Sequence, residues 1–258
     1  MLKEPGSPFF TAGANDSISL KRIIQSKASL KMLYTNYYKL LLKKKAHIPG
    51  YPTVELGAGC GFIKELDSNI LTIDILDSPG IDLRADACQL PFADKSIGNF
   101  VFLNMLHHIP RPYEFLEGIS TYLVNGGRLV FVEPYISVVS HCLYRFLHAE
   151  KENFSMELRR EWDFHDPFRD ANTAIPTLMF CNNLNLTKKE LSMWNVNVKE
   201  IIFHNIITHA ISGGYTYRSL LPAPVLALVL KIENLLPTFI LKNAAMLLSV
   251  TLEKKESY

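Results

Sequence analysis

A run of alternating glycines between two regular elements is the first feature of the sequence that could do chemistry. The stretch from Thr53 to Gly61 reads Thr-Val-Glu-Leu-Gly-Ala-Gly-Cys-Gly, so an extended apolar run gives way to a glycine loop. Glycine adopts backbone conformations that other residues resist and lets a ligand approach the main chain. A helix-like segment, Phe62 to Leu66, follows, and the free N–H groups of its first turn would face a polar or anionic ligand. This pattern predicts a nucleotide-type cofactor site.

The spacing of the glycines distinguishes a dinucleotide site from another kind of nucleotide-type cofactor site. A dinucleotide site has the pattern Gly-x-Gly-x-x-Gly. Here Gly57, Gly59 and Gly61 form Gly-x-Gly-x-Gly, and Phe62 stands where the third dinucleotide glycine would be. With Glu55 in the acidic position, the stretch resembles the first motif of the class I S-adenosylmethionine-dependent methyltransferases, in particular the type 11 methyltransferase-domain family. A tight strand-to-helix turn that binds nothing is the alternative.

The resemblance implies S-adenosylmethionine as cofactor and S-adenosylhomocysteine as product. Asp74 ends a second predicted strand and is expected to bind the ribose hydroxyls. Asp77 is the second candidate for this role. Alternatively, Asp74 only caps a turn. The later Asp-Ala-x-x-Leu-Pro-Phe sequence implies adenine binding by Asp86 and by the backbone N–H of Ala87, although Leu-Pro-Phe could also be a buried loop. The predicted cofactor-binding residues are Glu55, Gly57, Ala58, Gly59, Gly61, Asp74, Asp86, Ala87 and Asn104.

A pair of histidines follows the fourth predicted strand, which ends at Asn104. Ligands of open α/β sheets bind beyond the carboxyl ends of the strands, so His107 and His108 are expected to face cofactor and acceptor. A hydroxyl acceptor must lose a proton, and histidine titrates near neutral pH. We therefore predict His108, ahead of His107, as general base; the alternative is that the histidines only pack or bond the backbone. Glu133, at the end of the fifth strand, is predicted to orient a histidine or to bind a substrate hydroxyl.

The apolar segments predict an α/β fold with a doubly wound, Rossmann-like sheet. The resemblance implies seven strands in the order 3-2-1-4-5-7-6 with the last strand antiparallel. Turn chemistry at 77–80 leaves no room for a helix between the second and third strands. Residues 1–50 are predicted to form an arm and a covering helix (16–45), and 51–258 the methyltransferase domain, with insertions near 149–190 and 216–242. The covering helix has a lysine-rich face that is solvated, or serves as a lid or as a surface for an anionic substrate or lipid headgroup.

The net charge and the cysteine content limit the classes of partner and the cellular location that we expect. The chain has 258 residues, and its net charge of +2 gives no strong reason to expect nucleic acid. Four scattered cysteines without Cys-x-x-Cys pairing argue against a zinc site and a disulfide framework and suit a reducing cytoplasm. The trio Cys142, His148 and His165 lacks ligand spacing, so no metal is predicted. No signal peptide and no convincing membrane span are recognised.

The methyl acceptor is expected to be a small molecule, such as a sugar, a glycolipid precursor or another secondary metabolite. Within the first insertion, His165 and Asp166 lie among aromatic residues and are weak substrate-site candidates. The apolar stretch 216–242 is expected to pack internally or in a homodimer, with peripheral membrane contact as a further alternative. Two rival functions are an NAD-dependent oxidoreductase and a non-catalytic module that binds a partner through this stretch.

Overall fold

The computed structural model describes residues 17–147, 152–160 and 170–256. The regular elements are, in chain order, α1 (Ser17–Ser26), α2 (Ala28–Lys44), β1 (Thr53–Leu56), β2 (Leu71–Asp74), β3 (Leu83–Arg84), β4 (Ile97–Leu103), α3 (Pro112–Tyr122), β5 (Leu123–Pro134), α4 (Val138–Leu147), α5 (Ile175–Thr177), α6 (Leu184–Met193), β6 (Val196–His204), α7 (Thr208–Ile211), α8 (Ala223–Glu233), α9 (Thr238–Ala244) and β7 (Leu247–Lys254). Short 3-10 turns span Phe62–Glu65 and Leu106–His108, and α5 continues into a π-helical segment, Leu178–Asn182.

The described strands form one seven-stranded sheet in the order β3-β2-β1-β4-β5-β7-β6. The strands β1 to β5 pair in parallel, whereas β7 lies antiparallel between β5 and β6. This arrangement confirms the predicted fold and strand order. The parallel strands end at one edge of the sheet, which we call the carboxyl edge, and this edge carries the glycine loop.

The central strands are buried on both faces because helices cover the sheet on each side. Side chains alternate along β4, so that Phe100 and Phe102 enter the core under α3 and α6, while Val101 and Leu103 enter the core under α1 and α2. Phe102 stacks on Phe131 of β5 with ring centroids 4.7 Å apart. Burial of each such ring stabilises the fold by about 1.5–3 kcal/mol.

The N-terminal helix predicted over 16–45 is broken in two. Lys27 has an extended backbone between α1 and α2. Its buried ammonium donates to the carbonyl oxygens of Gly214 and Tyr217, far along the chain. Because a buried ammonium must be hydrogen-bonded, these distant carbonyls account for the break. The result is that α2 lies across the sheet and packs on β4 and β5.

The helix-like segment predicted after the glycine loop is a short 3-10 helix rather than an α-helix. Phe62–Glu65 forms a single 3-10 turn, and the Asp67 carboxylate then accepts the Asn69 N–H at 3.1 Å in a turn that leads into β2. The chain between loop and strand is too short for a helix with a useful N-terminal site, so the predicted contribution of helix N–H groups is withdrawn. The absence of a helix between β2 and β3 in the described chain agrees with the turn chemistry at 77–80.

The C-terminal apolar stretch forms two short helices, α8 and α9. Leu226, Leu230 and Glu233 of α8 are buried, while other large apolar side chains of the stretch are exposed. Within the described residues, no single helix is long and apolar enough to cross a membrane; α8 and α9 together meet the length and composition test but meet at a bend of 120°.

Candidate active site

The glycine loop begins where β1 ends at the carboxyl edge. Gly57, Gly59 and Gly61 all have positive φ, between 57° and 65°, which explains why glycine occupies alternate positions. A Cβ atom on Gly61 would lie 2.7 Å from the carbonyl oxygen of Gly80, so this glycine is required for packing. A Cβ atom on Gly59 would meet no atom of residues 17–147, 152–160 or 170–256 within 4 Å. The space above Gly59 is therefore open to a ligand.

Asp74 anchors the glycine loop from the end of β2. Its carboxylate accepts the Gly59 N–H at 2.7 Å through one oxygen and the Leu76 N–H at 2.9 Å through the other. The structure thus places this predicted ribose ligand against the loop, and it also gives it the turn-capping role named as the alternative. A carboxylate has about four acceptor positions, so two of them are left for hydroxyl groups.

Glu55 presents a buried acidic group beside the same loop. Its side chain is fully buried, and neither carboxyl oxygen receives a hydrogen bond of ordinary geometry from the described residues. Burial raises the pKa of Glu55 to about 8; the nearby Tyr38 hydroxyl lowers this pKa and the charge of Asp74 raises it further. A carboxyl group has more hydrogen-bonding positions than the one Tyr38 hydroxyl can fill, so Glu55 keeps positions that a ligand can complete.

The raised pKa of Glu55 predicts that the protein loses stability as the pH rises. The folded protein keeps the proton up to about pH 8, whereas the unfolded chain releases it near pH 4.5, so stability falls between these values. From pH 6 to pH 8 the loss amounts to about 2 kcal/mol. Urea unfolding at both pH values should show this slope in the wild type, and Glu55→Gln should remove it. Glu65, which is exposed, supplies the control, and Glu65→Gln should keep the slope of unfolding free energy against pH. If the wild type and Glu55→Gln have the same slope, the pH dependence does not come from Glu55.

Asn104 provides a second acceptor at the carboxyl edge. It directly follows β4 and has φ 54°, and its backbone N–H donates to Val132 at 2.9 Å, which fixes the turn. Its side-chain oxygen is buried and receives no hydrogen bond of ordinary geometry from the described residues. The side chain of Tyr34 lies beside this oxygen. Asn104 and Glu55 therefore offer acceptors to a ligand that is rich in donors.

A tyrosine cluster (Tyr34, Tyr37, Tyr38 and Tyr215) covers these two acceptors, and the sequence analysis missed this role. Tyr34 and Tyr38 pack on Phe62 of the glycine-loop turn, and Tyr215 packs on Tyr34. Burial raises the pKa of Tyr34, Tyr38 and Tyr215, so these hydroxyls stay protonated and can donate hydrogen bonds. The repeated tyrosines on one face of α2 were the available signal, because an apolar face rarely needs three hydroxyls.

Asp86 and Ala87 lie beyond the end of β3. Asp86 is exposed, and its carboxylate accepts the Cys88 N–H at 2.8 Å in a local turn. Ala87 is half-buried and packs against the core beside Phe92. The structure thus places the acidic group at the solvent-facing end of the carboxyl edge, on the β3 side of Asp74. This separation is consistent with the two ends of one extended ligand.

Glu133 and His107 form a buried pair under the histidine turn. One Glu133 oxygen accepts the backbone N–H groups of Met105 and Leu106, both at 2.7 Å, and the other oxygen lies 2.6 Å from His107 Nδ1. Glu133 is fully buried and His107 nearly so. A carboxylate can only accept, so the proton lies on His107 Nδ1. Glu133 is therefore placed to hold the turn and orient His107.

His108 lies at the rim of the site. Its side chain is half-buried, and its Nδ1 atom lies 3.2 Å from the carbonyl oxygen of Asp170. Since a carbonyl can only accept, Nδ1 carries the proton and Nε2 keeps its lone pair. The His107 and His108 rings are 4.3 Å apart, so Glu133 also positions His108 through its neighbour.

The structure brings most predicted site residues to one edge of the sheet, with two exceptions. His165 and Asp166 fall in 161–169, outside the described residues.

Among the residues that are described, no group of three histidine, cysteine or carboxylate side chains is arranged to hold a metal ion.

Comparison with known proteins agrees with this geometry. Residues 56–131, less than a third of the chain, match the model of a family described as a methyltransferase domain. No curated protein sequence matches the chain. Similar solved structures include an S-adenosylmethionine-dependent methyltransferase from Mesorhizobium loti (15% identity, 90% of this chain and 100% of that chain, TM-score 0.49). Others are a SAM-dependent methyltransferase from Archaeoglobus fulgidus (12%, 90% and 94%, TM-score 0.46) and geranyl diphosphate C-methyltransferase from Streptomyces coelicolor (8%, 85% and 77%, TM-score 0.47). At these identities the likenesses say nothing of the acceptor.

The strand order and the acidic-x-Gly-x-Gly-x-Gly loop define a class I S-adenosylmethionine-dependent methyltransferase fold. Residues 56–131, which match the methyltransferase-domain model, lie inside the segment 51–258 that was predicted to form this domain. The residues at the site fit the cofactor: open space lies over Gly59, and the buried oxygens of Glu55 and Asn104 keep acceptor positions for a ligand with ammonium and hydroxyl donors.

Proposed function

We propose that this protein transfers a methyl group from S-adenosylmethionine to a small-molecule acceptor. The observation that carries the proposal is the open space above a glycine loop that is flanked by two buried polar groups, Glu55 and Asn104. The Tyr38 and Tyr34 hydroxyls fill only part of the hydrogen-bonding capacity of these two groups, so positions remain for a ligand rich in donors.

Each predicted residue has a distinct task in binding the cofactor. Gly57 and Gly59 let the methionine end approach the backbone, and Glu55 faces its ammonium. A cation beside Glu55 favours the charged carboxylate, so ligand binding and ionisation of Glu55 support each other. Asp74 accepts from the ribose hydroxyls, and Asp86 accepts from the adenine amino group.

Direct displacement needs few groups from the protein. The bound sulfonium supplies a reactive methyl group and a good leaving group. The protein must orient the acceptor in line and exclude water, which the tyrosine cluster over the loop supports. For a hydroxyl acceptor, His108 Nε2 takes the proton, and Glu133 and His107 hold the turn that carries it.

A small molecule is the acceptor class that the chain favours, for example the hydroxyl of a sugar, of a glycolipid precursor or of another secondary metabolite. The net charge of +2 gives no strong reason to expect nucleic acid as a partner. The NAD-dependent alternative is disfavoured because buried Phe62 occupies the place of the third dinucleotide glycine. The intact glycine loop, Gly57, Gly59 and Gly61, together with Asp86, disfavours a module that has lost its cofactor.

Thermal unfolding with S-adenosylhomocysteine tests the proposal, with NAD as the control ligand. A ligand that binds only the folded state stabilises it by about 2.7 kcal/mol at a hundredfold excess over Kd. We expect a rise in Tm with S-adenosylhomocysteine alone, and Asp86→Ala should remove most of it. Asp94→Ala is the matched control, because Asp94 is also exposed in the loop between β3 and β4.

The outcomes separate the candidate functions. A Tm rise with NAD alone would favour the oxidoreductase. The absence of a rise with either ligand at millimolar concentration would refute the cofactor assignment and favour the binding module. Equal rises in Asp86→Ala and Asp94→Ala would remove Asp86 from the adenine site while leaving the glycine loop in place.

A further inference from the structure

An exposed apolar surface lies where α8 meets α9. Val225, Leu228 and Ile232 follow one another at helical spacing on the outer face of α8, and all are exposed. Leu235 and Phe239, at the bend, are 83% and 69% exposed. We call these five residues the apolar corner. Large apolar side chains are seldom grouped in this way on a surface that meets only water.

Packing of α8 against the body of the protein does not account for the apolar corner. The opposite face of α8 is already anchored, since Leu226 and Leu230 are buried in the body of the protein. A helix at the surface of a soluble domain normally carries polar residues on its outer side. Here the outer side has apolar residues instead, and the 120° bend at 234–237 makes the side chains project from a convex corner.

The charges around the apolar corner have one sign. Between 205 and 246 the charged residues are Arg218, Lys231, Glu233 and Lys242. The three basic side chains are exposed, whereas Glu233 is buried and accepts from the Ile207 and Thr208 N–H groups and from the Thr208 hydroxyl. Within 205–246, a range that the structure describes in full, every exposed charged side chain is therefore basic.

The apolar corner lies on the side of the molecule that carries the candidate site. The helices α7 to α9 connect β6 and β7 at the carboxyl edge, and α4 leaves β5 at the same edge. The helices α4 and α9 pack together, and Val138 of α4 is 76% exposed. The Tyr135 hydroxyl, directly after β5, donates to the Lys242 carbonyl at 2.7 Å. The apolar surface is thus fixed to the edge where β4 and β5 end.

We propose that the apolar corner docks on an anionic lipid surface, with Leu235 and Phe239 in the interface and Lys231 and Lys242 at the headgroups. An apolar ridge with a basic rim is what binds peripherally to such membranes. A second copy of the chain fits less well, because a two-fold interface would bring the same basic residues of both copies together. This docking does not depend on the identity of the methyl acceptor.

Vesicle co-sedimentation tests the docking. The full chain should sediment with vesicles of phosphatidylcholine and phosphatidylglycerol and much less with phosphatidylcholine alone, and added salt should weaken the binding. The double variant Leu235→Glu/Phe239→Glu should bind at least about tenfold more weakly. Lys231→Gln and Lys242→Gln should each cost about fivefold on anionic vesicles.

Matched controls make the result decisive. The exposed apolar residues Leu186 and Met193 of α6 lie away from the apolar corner, so Leu186→Glu/Met193→Glu should bind vesicles like the wild type. The Tm rise with S-adenosylhomocysteine should be the same in all variants, which separates a failure of docking from a failure of cofactor binding. Absence of wild-type sedimentation, or equal loss in both double variants, would overturn the proposal. So would a dimer in sedimentation velocity that Leu235→Glu/Phe239→Glu dissolves.

Discussion

Gly59→Ala is expected to weaken binding of S-adenosylhomocysteine by about 10²-fold while leaving the protein folded. The new methyl group would meet no protein atom within 4 Å, so the fold has room for it. Its cost in stability comes from the positive φ of 57° and amounts to about 1–2 kcal/mol. The loss of affinity arises because the methyl group enters the space that the cofactor must occupy. Isothermal titration with S-adenosylhomocysteine measures it directly.

Gly50→Ala is the matched control for this experiment. Gly50 also has a positive φ, 84°, with no atom within 4 Å of an added Cβ, but it lies before β1 and away from the carboxyl edge. It should lose similar stability and keep full affinity. If both variants bind equally well, the open space over Gly59 is not the cofactor site. Gly61→Ala is unsuited to this test, because its Cβ would collide with the Gly80 carbonyl and disturb the fold.

The second large effect is expected from Glu133→Ala, which should lower the free energy of unfolding by about 3–5 kcal/mol. The substitution leaves the Met105, Leu106 and His107 donors without an acceptor in a fully buried place. Urea unfolding measures the loss. Methyl transfer should fall as well, because the histidine turn loses its anchor.

Glu253→Ala provides the comparison, since Glu253 of β7 also binds two groups, Arg128 and Lys199, at 2.7 Å each. Its side chain is 30% exposed, so its removal should cost less than about 1 kcal/mol. Glu133→Gln should retain more stability than Glu133→Ala, because an amide oxygen can still accept both backbone N–H groups. Its NH₂ group would face His107 Nδ1 and move the ring proton to Nε2. Equal stability of Glu133→Ala and Glu253→Ala would show that the buried network does not hold the turn.

The sequence predicted the sheet well because buried parallel strands have a strong local signature. The apolar runs that end at Leu56, Asp74 and Leu103 needed no tertiary information, and the glycine spacing fixed the type of loop. The strand order was predicted from the resemblance to class I methyltransferases, because apolar runs alone do not indicate which strands are neighbours in the sheet. The positions of Glu55, Asp74 and Asn104 at one edge then followed from the rule for parallel sheets.

The errors arose where distant parts of the chain decide local structure. The break at Lys27 depends on carbonyl groups of Gly214 and Tyr217, which no local pattern indicates. The 3-10 turn after the glycine loop was mistaken for a helix because Phe62 to Leu66 has helix-forming residues but too little length. No local pattern could show that the hydroxyls of Tyr34 and Tyr38 lie beside Asn104 and Glu55.

The helix α2 lies outside the segment that matches the family model, although it packs against the turn that follows the glycine loop. The glycine loop and its carboxylates lie within or next to the segment that matches the family, whereas Tyr34, Tyr38 and Tyr215 lie outside it. Substitutions in α2 or around Tyr215 would therefore reshape the aromatic wall over the glycine-loop turn without altering the loop itself.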